Sequence, residues 1–474
     1  MKYVDHLAYT NEDEPPERFN INEFYKKVYL NRLSDVDALS TSVNWTKYFL
    51  NLAPRNLHAY FSNDPLVAVN KTSIQVIDKI LRTTPEKVIV NYTILSYVVT
   101  FIEFFSDKYQ QIFQNLLPKF PSKADFCFKT TYNGFRDALI AEYARRTNGS
   151  EARKVVESMR KELTEEFANI IHKNTWLNAD QKNGLISKVK SISFLSAYHD
   201  YHLNEAEIDS MYSDYIRIEG FEKLPFLMQE DIFRSIAQKE QFNLLNDTVD
   251  LDKKRQTDQA YKNAGAYYSG GYHSIVVTPS LLRFPTYGVT FPRSYIYASL
   301  GFAIGHEIMH AFDNTGVYRD LQTNFSYWLG REFYIQYEEK IKCLINMYND
   351  VKIPGYNGKM DGKFTLAENI ADNEGVKLAF KVHQRLGKKF EAEGRFGGMQ
   401  DFNNDQMFFL GYAITFCNKR TNDEKYIREQ VLTDSHSPEI VRVNTVLANM
   451  PEFATAFHCS PASPMNPKTR CTLY

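Results

Sequence analysis

His306, Glu307 and His310 stand together in the run Gly305-His306-Glu307-Ile308-Met309-His310, inside an apolar stretch from Tyr295 to Phe312. On a helix, residues four apart share one face, so the two imidazoles lie side by side. Two ring nitrogens at that spacing suit tetrahedral zinc, and the adjoining Glu307 is placed to act as general base. The plainer reading is a buried helix that happens to hold two histidines. A third ligand separates the two.

The segment Thr365-Leu-Ala-Glu368-Asn-Ile-Ala-Asp372-Asn-Glu-Gly375 supplies a candidate. Thr365 reads as an N-cap, which puts Glu368 and Asp372 one turn apart on the helix that follows. Glu368 completes a two-His, one-Glu set and leaves the fourth position to water, as a catalytic zinc site requires. Asp372 is suited to accept from the non-ligating nitrogen of a zinc-bound histidine, here assigned to His306. Standing alone, the segment is a capping box with solvated carboxylates. A longer motif with a third histidine is excluded, because Asp313 and Gly316 occupy the positions where Gly and His are needed. The ligand set points to a thermolysin-like zinc peptidase.

These groups need large elements to hold them. A length of 474 residues suggests two or three domains, and 43% hydrophobic with 24% charged residues is ordinary for a soluble globular protein. A net charge of −1 gives no broad attraction to nucleic acid or anionic lipid. The 31 Tyr and 34 Phe read as large cores, since nothing alternates basic and aromatic residues as a nucleic-acid groove does. Cys127, Cys343, Cys417, Cys459 and Cys471 form no C-x-x-C pair. With sequons at Asn44, Asn70, Asn91, Asn148, Asn246 and Asn324, they favour an oxidising, secretory setting and a glycoprotein. Met1 to Thr10 has no apolar core of a signal peptide. Val88 to Ile102 is shorter than a span of about 20 apolar residues and is interrupted by Asn91, Thr93 and Ser96, so it reads as a buried helix.

Along the chain, the start through Pro16 is acidic and irregular, and residues 22–240 read mostly as helix, with a β-like piece at Leu66 and a capped helix from Asn178. The texture changes after Asp252. Ala264 to Tyr268, Ser269-Gly-Gly271, and Tyr272 to Val277 read as a β-hairpin. Its edge strand is either a peptide acceptor or plain structural sheet. Asp405 to Lys419 is an apolar core helix. His436, in the turn Asp434-Ser-His-Ser-Pro438, is a candidate donor to a tetrahedral intermediate. The other eight histidines are read as structural, although His199-x-x-His202 could attract a surface ion.

Val277-Thr-Pro-Ser-Leu-Leu282, Gly305-His-Glu-Ile-Met-His-Ala-Phe-Asp313, Glu368-Asn-Ile-Ala-Asp-Asn373, Asp434-Ser-His-Ser-Pro438 and the tail from Phe453 to Cys471 together resemble the neprilysin family, which includes the endothelin-converting enzymes. The resemblance is dense from about residue 260 onward and weaker through the helical half. It implies a zinc-dependent endopeptidase that cuts short extracellular peptides, often on the amino side of hydrophobic residues, with one Zn2+ per chain. By motif it makes His306, His310 and Glu368 the zinc ligands and Glu307 the base. Asp372 orients a ligand histidine, His436 is the transition-state donor, and Arg442 binds substrate backbone. Family members are typically anchored at the cell surface by an N-terminal membrane helix that this chain is expected to lack, with part of the ectodomain. The expected fold is mainly α with a small β component: a partial helical lobe over residues 1–255, closing over the site, and a zinc catalytic domain over residues 256–474.

Three departures stand out. The family's Asn-Ala substrate strand appears as Gly265-Ala266, with Asn263-Ala264 displaced by two, so Ala266 keeps a backbone contact while the side-chain amide is lost. Glu374 replaces a glycine, adding a charge near the metal shell with only a tuning effect. The chain is also short for the family. By resemblance Cys343 pairs with Cys471, and Cys127, Cys417 and Cys459 lose their partners. The alternative reading is a catalytically impaired peptide-binding protein.

Overall fold

The computed structural model describes residues 29–113, 122–147, 149–246, 265–390, 393–419 and 423–474. The irregular start, Asn148, and Asn263-Ala264 of the displaced strand lie outside these. The chain forms two compact units, one from residues 1–142 and 200–250, the other from 143–199 and 251–474. This grouping differs from the single division expected after residue 255. The strand Ser193–Ser196 hydrogen-bonds in parallel to Ser274–Val277, and that pairing carries the helices before it into the second unit.

In the first unit, β1 (Tyr29–Arg32) pairs antiparallel with β2 (Leu66–Val69), as the β-like reading at Leu66 anticipates. Beneath them Leu33, Ala53, Leu57 and Phe61 form a small core with Phe49 and Phe242 against it. The α1 helix (Glu86–Thr100) covers the stretch expected to be buried, but none of its residues is. Ile94 is 59% exposed and Tyr97 65%, because no described residue covers them. Among the described residues, no helix is long and apolar enough to cross a membrane. His202 is no surface ligand either: it is buried, with Nε2 3.0 Å from Asp137 Oδ1. Tyr201 donates to the same oxygen, and Arg136 pairs with the other.

The second unit starts with α2 (Gly149–Lys173) and α3 (Ala179–Ser191), the latter opened by a reciprocal capping box between Asn178 and Gln181. A three-stranded sheet follows in the order β3 (Ser193–Ser196), β5 (Ser274–Val277), β4 (Ala266–Ser269). β5 is buried throughout, as a central strand with the continuous run Ile275-Val276-Val277 should be. The expected hairpin is the antiparallel pair β4–β5, and β4 lies at the edge among the described strands.

A short helix at Arg293–Ile296 passes through a π-helical turn, Tyr297–Gly301, into α4 (Phe302–His310). α4 is apolar around most of its circumference and is correspondingly buried, with Ile304, Ile308 and Met309 at 0% exposure. It packs against α6 (Leu366–Lys389), which follows α5 (Arg331–Asn349). Two glycines set the approach. A Cβ on Gly305 would sit 2.9 Å from Gly375 O, and one on Gly375 would sit 2.7 Å from His306 N. The layer is completed by α7 (Asn404–Thr415), the core helix expected there, and α8 (Glu439–Ala448). Cys343 on α5 is disulfide-bonded to Cys471, while Cys127 and Cys417 are free and exposed and Cys459 is free and half-buried.

Candidate metal centre

The apolar faces of α4 and α6 drive the two helices together, and the Gly305–Gly375 contact sets how close they come. His306 and His310 on α4 thereby meet Glu368, one turn into α6. His306 Nε2 lies 3.1 Å from His310 Nε2 and 3.2 Å from Glu368 Oε2, and His310 Nε2 lies 3.6 Å from Glu368 Oε1. Donors at the corners of a tetrahedron with metal bonds of roughly 2.0–2.1 Å stand about 3.3 Å apart, so the spacing fits one zinc-sized ion.

The far nitrogens show what the near ones offer. His310 Nδ1 is 2.8 Å from Asp313 Oδ2, and His306 Nδ1 is 2.9 Å from Asp372 Oδ1 in a poorly aligned contact. With Nδ1–H of His310 bonded to Asp313 and Nδ1 of His306 beside Asp372, both Nε2 atoms are left to present lone pairs to one another and to Glu368. Glu368 Oε2 is itself buried without a hydrogen-bonded proton. Three acceptors turned on one point are unfavourable unless a cation lies among them, so the donor set fits the metal.

Burial opposes charge on Glu368, yet positive charge at the facing imidazoles of His306, His310 and His436, the part a bound cation takes over, holds its carboxyl far below the usual range. Burial likewise opposes Asp372, and the Arg442 guanidinium overcomes it. That pair is bidentate, Nε and Nη2 each 2.7 Å from a carboxylate oxygen, with Arg442 also over the Phe416 ring.

The remaining candidates fall as follows. Glu307 is 8% exposed, and its carboxylate makes no hydrogen bond or ion pair to a described residue. His436 reaches in from the turn before α8, with Nε2 3.0 Å from Glu368 Oε2 and Nδ1 2.9 Å from Asp434 Oδ1. That turn is held by Ser437, which donates to Asn369 on α6 at 2.7 Å. Ala266 opens β4, which packs along α4. Gly265 has no side chain, and Thr278 takes both its main-chain groups, so it offers nothing further to a ligand. Thr365 stands at the N-cap position but donates to Asp361 O instead of capping.

Glu374 does not face the metal shell: it pairs with Lys377 at 3.0 Å and accepts from Leu473 N, fastening the C-terminal tail. Two further groups belong to the site. Asp313, which in the sequence only excludes a longer motif, is three residues after His310, a helical spacing that points to contact. Asn369 leaves no signal in the sequence, because its partner Ser437 is 68 residues away.

Comparison with known proteins follows the same lines. The chain is 30% identical over 467 residues to Neprilysin-1 of Caenorhabditis elegans, covering 95% of this chain and 60% of that protein. It is 26% identical over 457 residues to endothelin-converting enzyme 1 of Cavia porcellus, covering 93% and 58%. The chain thus spans about three-fifths of these relatives. Its fold matches a zinc metalloprotease of Mycobacterium tuberculosis solved in complex with an inhibitor, with a TM-score of 0.74 at 18% identity over 94% of this chain and 66% of that one. Models of peptidase family M13 match residues 7–199 and 265–473, most of the sequence between them, and the chain therefore belongs to peptidase family M13, with the neprilysins and endothelin-converting enzymes.

Proposed function

We propose that the protein is a zinc-dependent endopeptidase acting outside the cell on short peptides, on the amino side of hydrophobic residues. The observation that carries this reading is the convergence of three acceptors, His306 Nε2, His310 Nε2 and a Glu368 oxygen, on one cation-sized point. The peptidase family to which the chain belongs supports the peptide substrate class, and the cleavage preference is carried over from the resemblance in sequence alone. The Cys343–Cys471 disulfide and exposed sequons at Asn44, Asn70, Asn91 and Asn324 support an oxidising, extracellular setting.

Zinc held by His306, His310 and Glu368 supplies Lewis acidity toward the scissile carbonyl and a more acidic water. Glu307, whose carboxylate makes no hydrogen bond or ion pair to a described residue, takes a proton from the attacking water and delivers it to the leaving amide nitrogen. His436, held through Nδ1 by Asp434, donates from Nε2 to the developing oxyanion. Asp372 keeps His306 in the tautomer that binds metal, while Arg442 braces Asp372 and retains Nη1 for a substrate carbonyl. Ala266, on the edge strand, aligns the peptide backbone.

The test is Glu307→Gln. It should bind zinc as the parent does, measured by metal analysis after dialysis, and lose about 10²–10⁴ in turnover of a quenched peptide. Substantial remaining turnover removes Glu307 from the role of base. A parent protein that retains no zinc removes the whole reading.

A further inference from the structure

Lys188 is a buried lysine that the chemistry above does not use. It lies on α3 and is 0% exposed. Its Nζ donates to Gly316 O and to Arg319 O, both at 2.6 Å, and stands 5.7 Å from the Phe312 ring and 5.5 Å from the Trp328 ring. No described carboxylate pairs with it. Burial pushes its ammonium down to about 7, against the pull of Asp313 and Asp320. A fully buried amine spent on two loop carbonyls calls for an explanation beyond packing.

The loop it grips runs directly out of the metal-binding helix. Gly316, whose carbonyl Lys188 holds, gives its own N–H to Asp313 Oδ1 at 2.7 Å, and Thr315 N adds a second bond at 2.8 Å. The other oxygen of Asp313 accepts from His310 Nδ1 at 2.8 Å. A continuous run of short hydrogen bonds therefore leads from Lys188 through Gly316 and Asp313 to His310. Gly316 has no room to shift inward, since a Cβ there would meet His310 O at 2.0 Å. The main chain of Lys188 makes a separate connection to the sheet. Its carbonyl lies 3.0 Å from His273 Nε2, and His273 Nδ1 lies 2.8 Å from Tyr268 OH on β4.

We infer that Lys188 is a positioning residue of the metal centre: by fixing the Gly316–Arg319 loop it holds Asp313, and through Asp313 the ring of His310, in the orientation that binds metal. This rests on the zinc reading above. Lys188 touches neither metal nor substrate. Its effect passes through Asp313, so loss of either should cost metal affinity, and loss of both should cost little more than loss of one.

The experiment measures zinc dissociation constants by chelator competition for the parent, Lys188→Met, Asp313→Asn and the double variant. Apo-protein thermal unfolding and the visible spectrum of the cobalt-substituted forms accompany it. Lys188→Met should weaken zinc binding about tenfold or more, in line with other outer-shell changes, and alter the cobalt spectrum. Asp313→Asn should weaken zinc binding similarly, with the double variant less than twofold weaker than the worse single one. A merely structural lysine would lower the unfolding temperature and leave both zinc affinity and cobalt spectrum at parent values, and that result overturns the proposal. So does a double variant in which the two losses multiply. If Lys188→Met does not fold, Lys188→Gln, which keeps a donor but cannot span both carbonyls, takes its place in the same comparison, and the same results support or overturn the proposal. A parent that binds no zinc would instead strike down the peptidase reading, which keeps the two failures apart.

Discussion

At the centre, each imidazole is held from behind by a carboxylate: His306 by Asp372, His310 by Asp313, His436 by Asp434. Helical spacing makes Asp313 legible next to His310, and a two-residue turn does the same for Asp434. The Asp372–Arg442 pair joins residues 70 apart, and no local pattern announces it. Asp372 is 1% exposed, so its charge depends on that guanidinium. Replacing Arg442 with Met should leave a buried carboxylate uncompensated and cost about 3–5 kcal/mol in denaturant unfolding. A loss below about 1 kcal/mol would mean that solvent reaches the site and the pair is an ordinary surface one. A second carboxylate, Asp137 in the other unit, gives a pH dependence. Burial pushes its pKa up, but His202, Arg136 and Tyr201 together bring it down from 3.8 to about 2. The folded value lies below the unfolded one, so the stability it contributes is present above pH ~4 and disappears as pH falls toward 2. Asp137→Asn should flatten that part of the acid-stability curve, read by circular dichroism against the parent.

Between elements, the decisive contact is two glycines. Gly305 adjoins His306 in the sequence and Gly375 follows Asp372 by three residues, yet their facing one another depends on how α4 and α6 cross. Gly375→Ala places a methyl 2.7 Å from His306 N, against main chain that cannot rotate away. The helices must separate, with an overpacking cost of about 1–3 kcal/mol. Because Glu368 and the two histidines sit on opposite sides of that contact, zinc affinity should fall by far more than the loss of stability suggests. Titration with a chromogenic chelator measures it, and parent-like affinity would show that the ligands do not depend on the crossing. Elements are legible where the signal is local. The hairpin β4–β5 follows from short apolar runs around Gly270-Gly271, and α3 follows from the Asn178 cap. The parallel pairing of β3 with β5 is not legible, since Phe194 meets Ile275 across 80 intervening residues. α1 is exposed where its sequence suggests burial, because apolar composition says what a helix prefers, not whether a neighbour covers it.

On the scale of the molecule, the second unit is tied shut at its C-terminus. Cys471 bonds to Cys343 across 128 residues, Leu473 N donates to Glu374, and Tyr474 OH donates to Phe312 O just beyond the metal-binding helix. Glu374, which looks from the sequence like a charge beside the metal, is instead a fastening for this tail. The pairing of Cys343 with Cys471 is legible only through family resemblance, because five scattered cysteines permit many pairings. Closing a loop of 128 residues restricts the unfolded chain by an amount worth about 5 kcal/mol in the loop-entropy account. Cys343→Ser should therefore lower the unfolding free energy by up to about 5 kcal/mol. A reducing agent should bring the parent to the level of the variant and leave the variant unmoved. The denatured, unreduced parent should titrate three thiols, matching Cys127, Cys417 and Cys459. Because the same tail reaches Phe312, reduction should also speed zinc release from the folded protein. If the parent keeps its unfolding midpoint and its zinc off-rate under reduction, the tail hydrogen bonds alone hold the C-terminus in place and the disulfide is redundant to them.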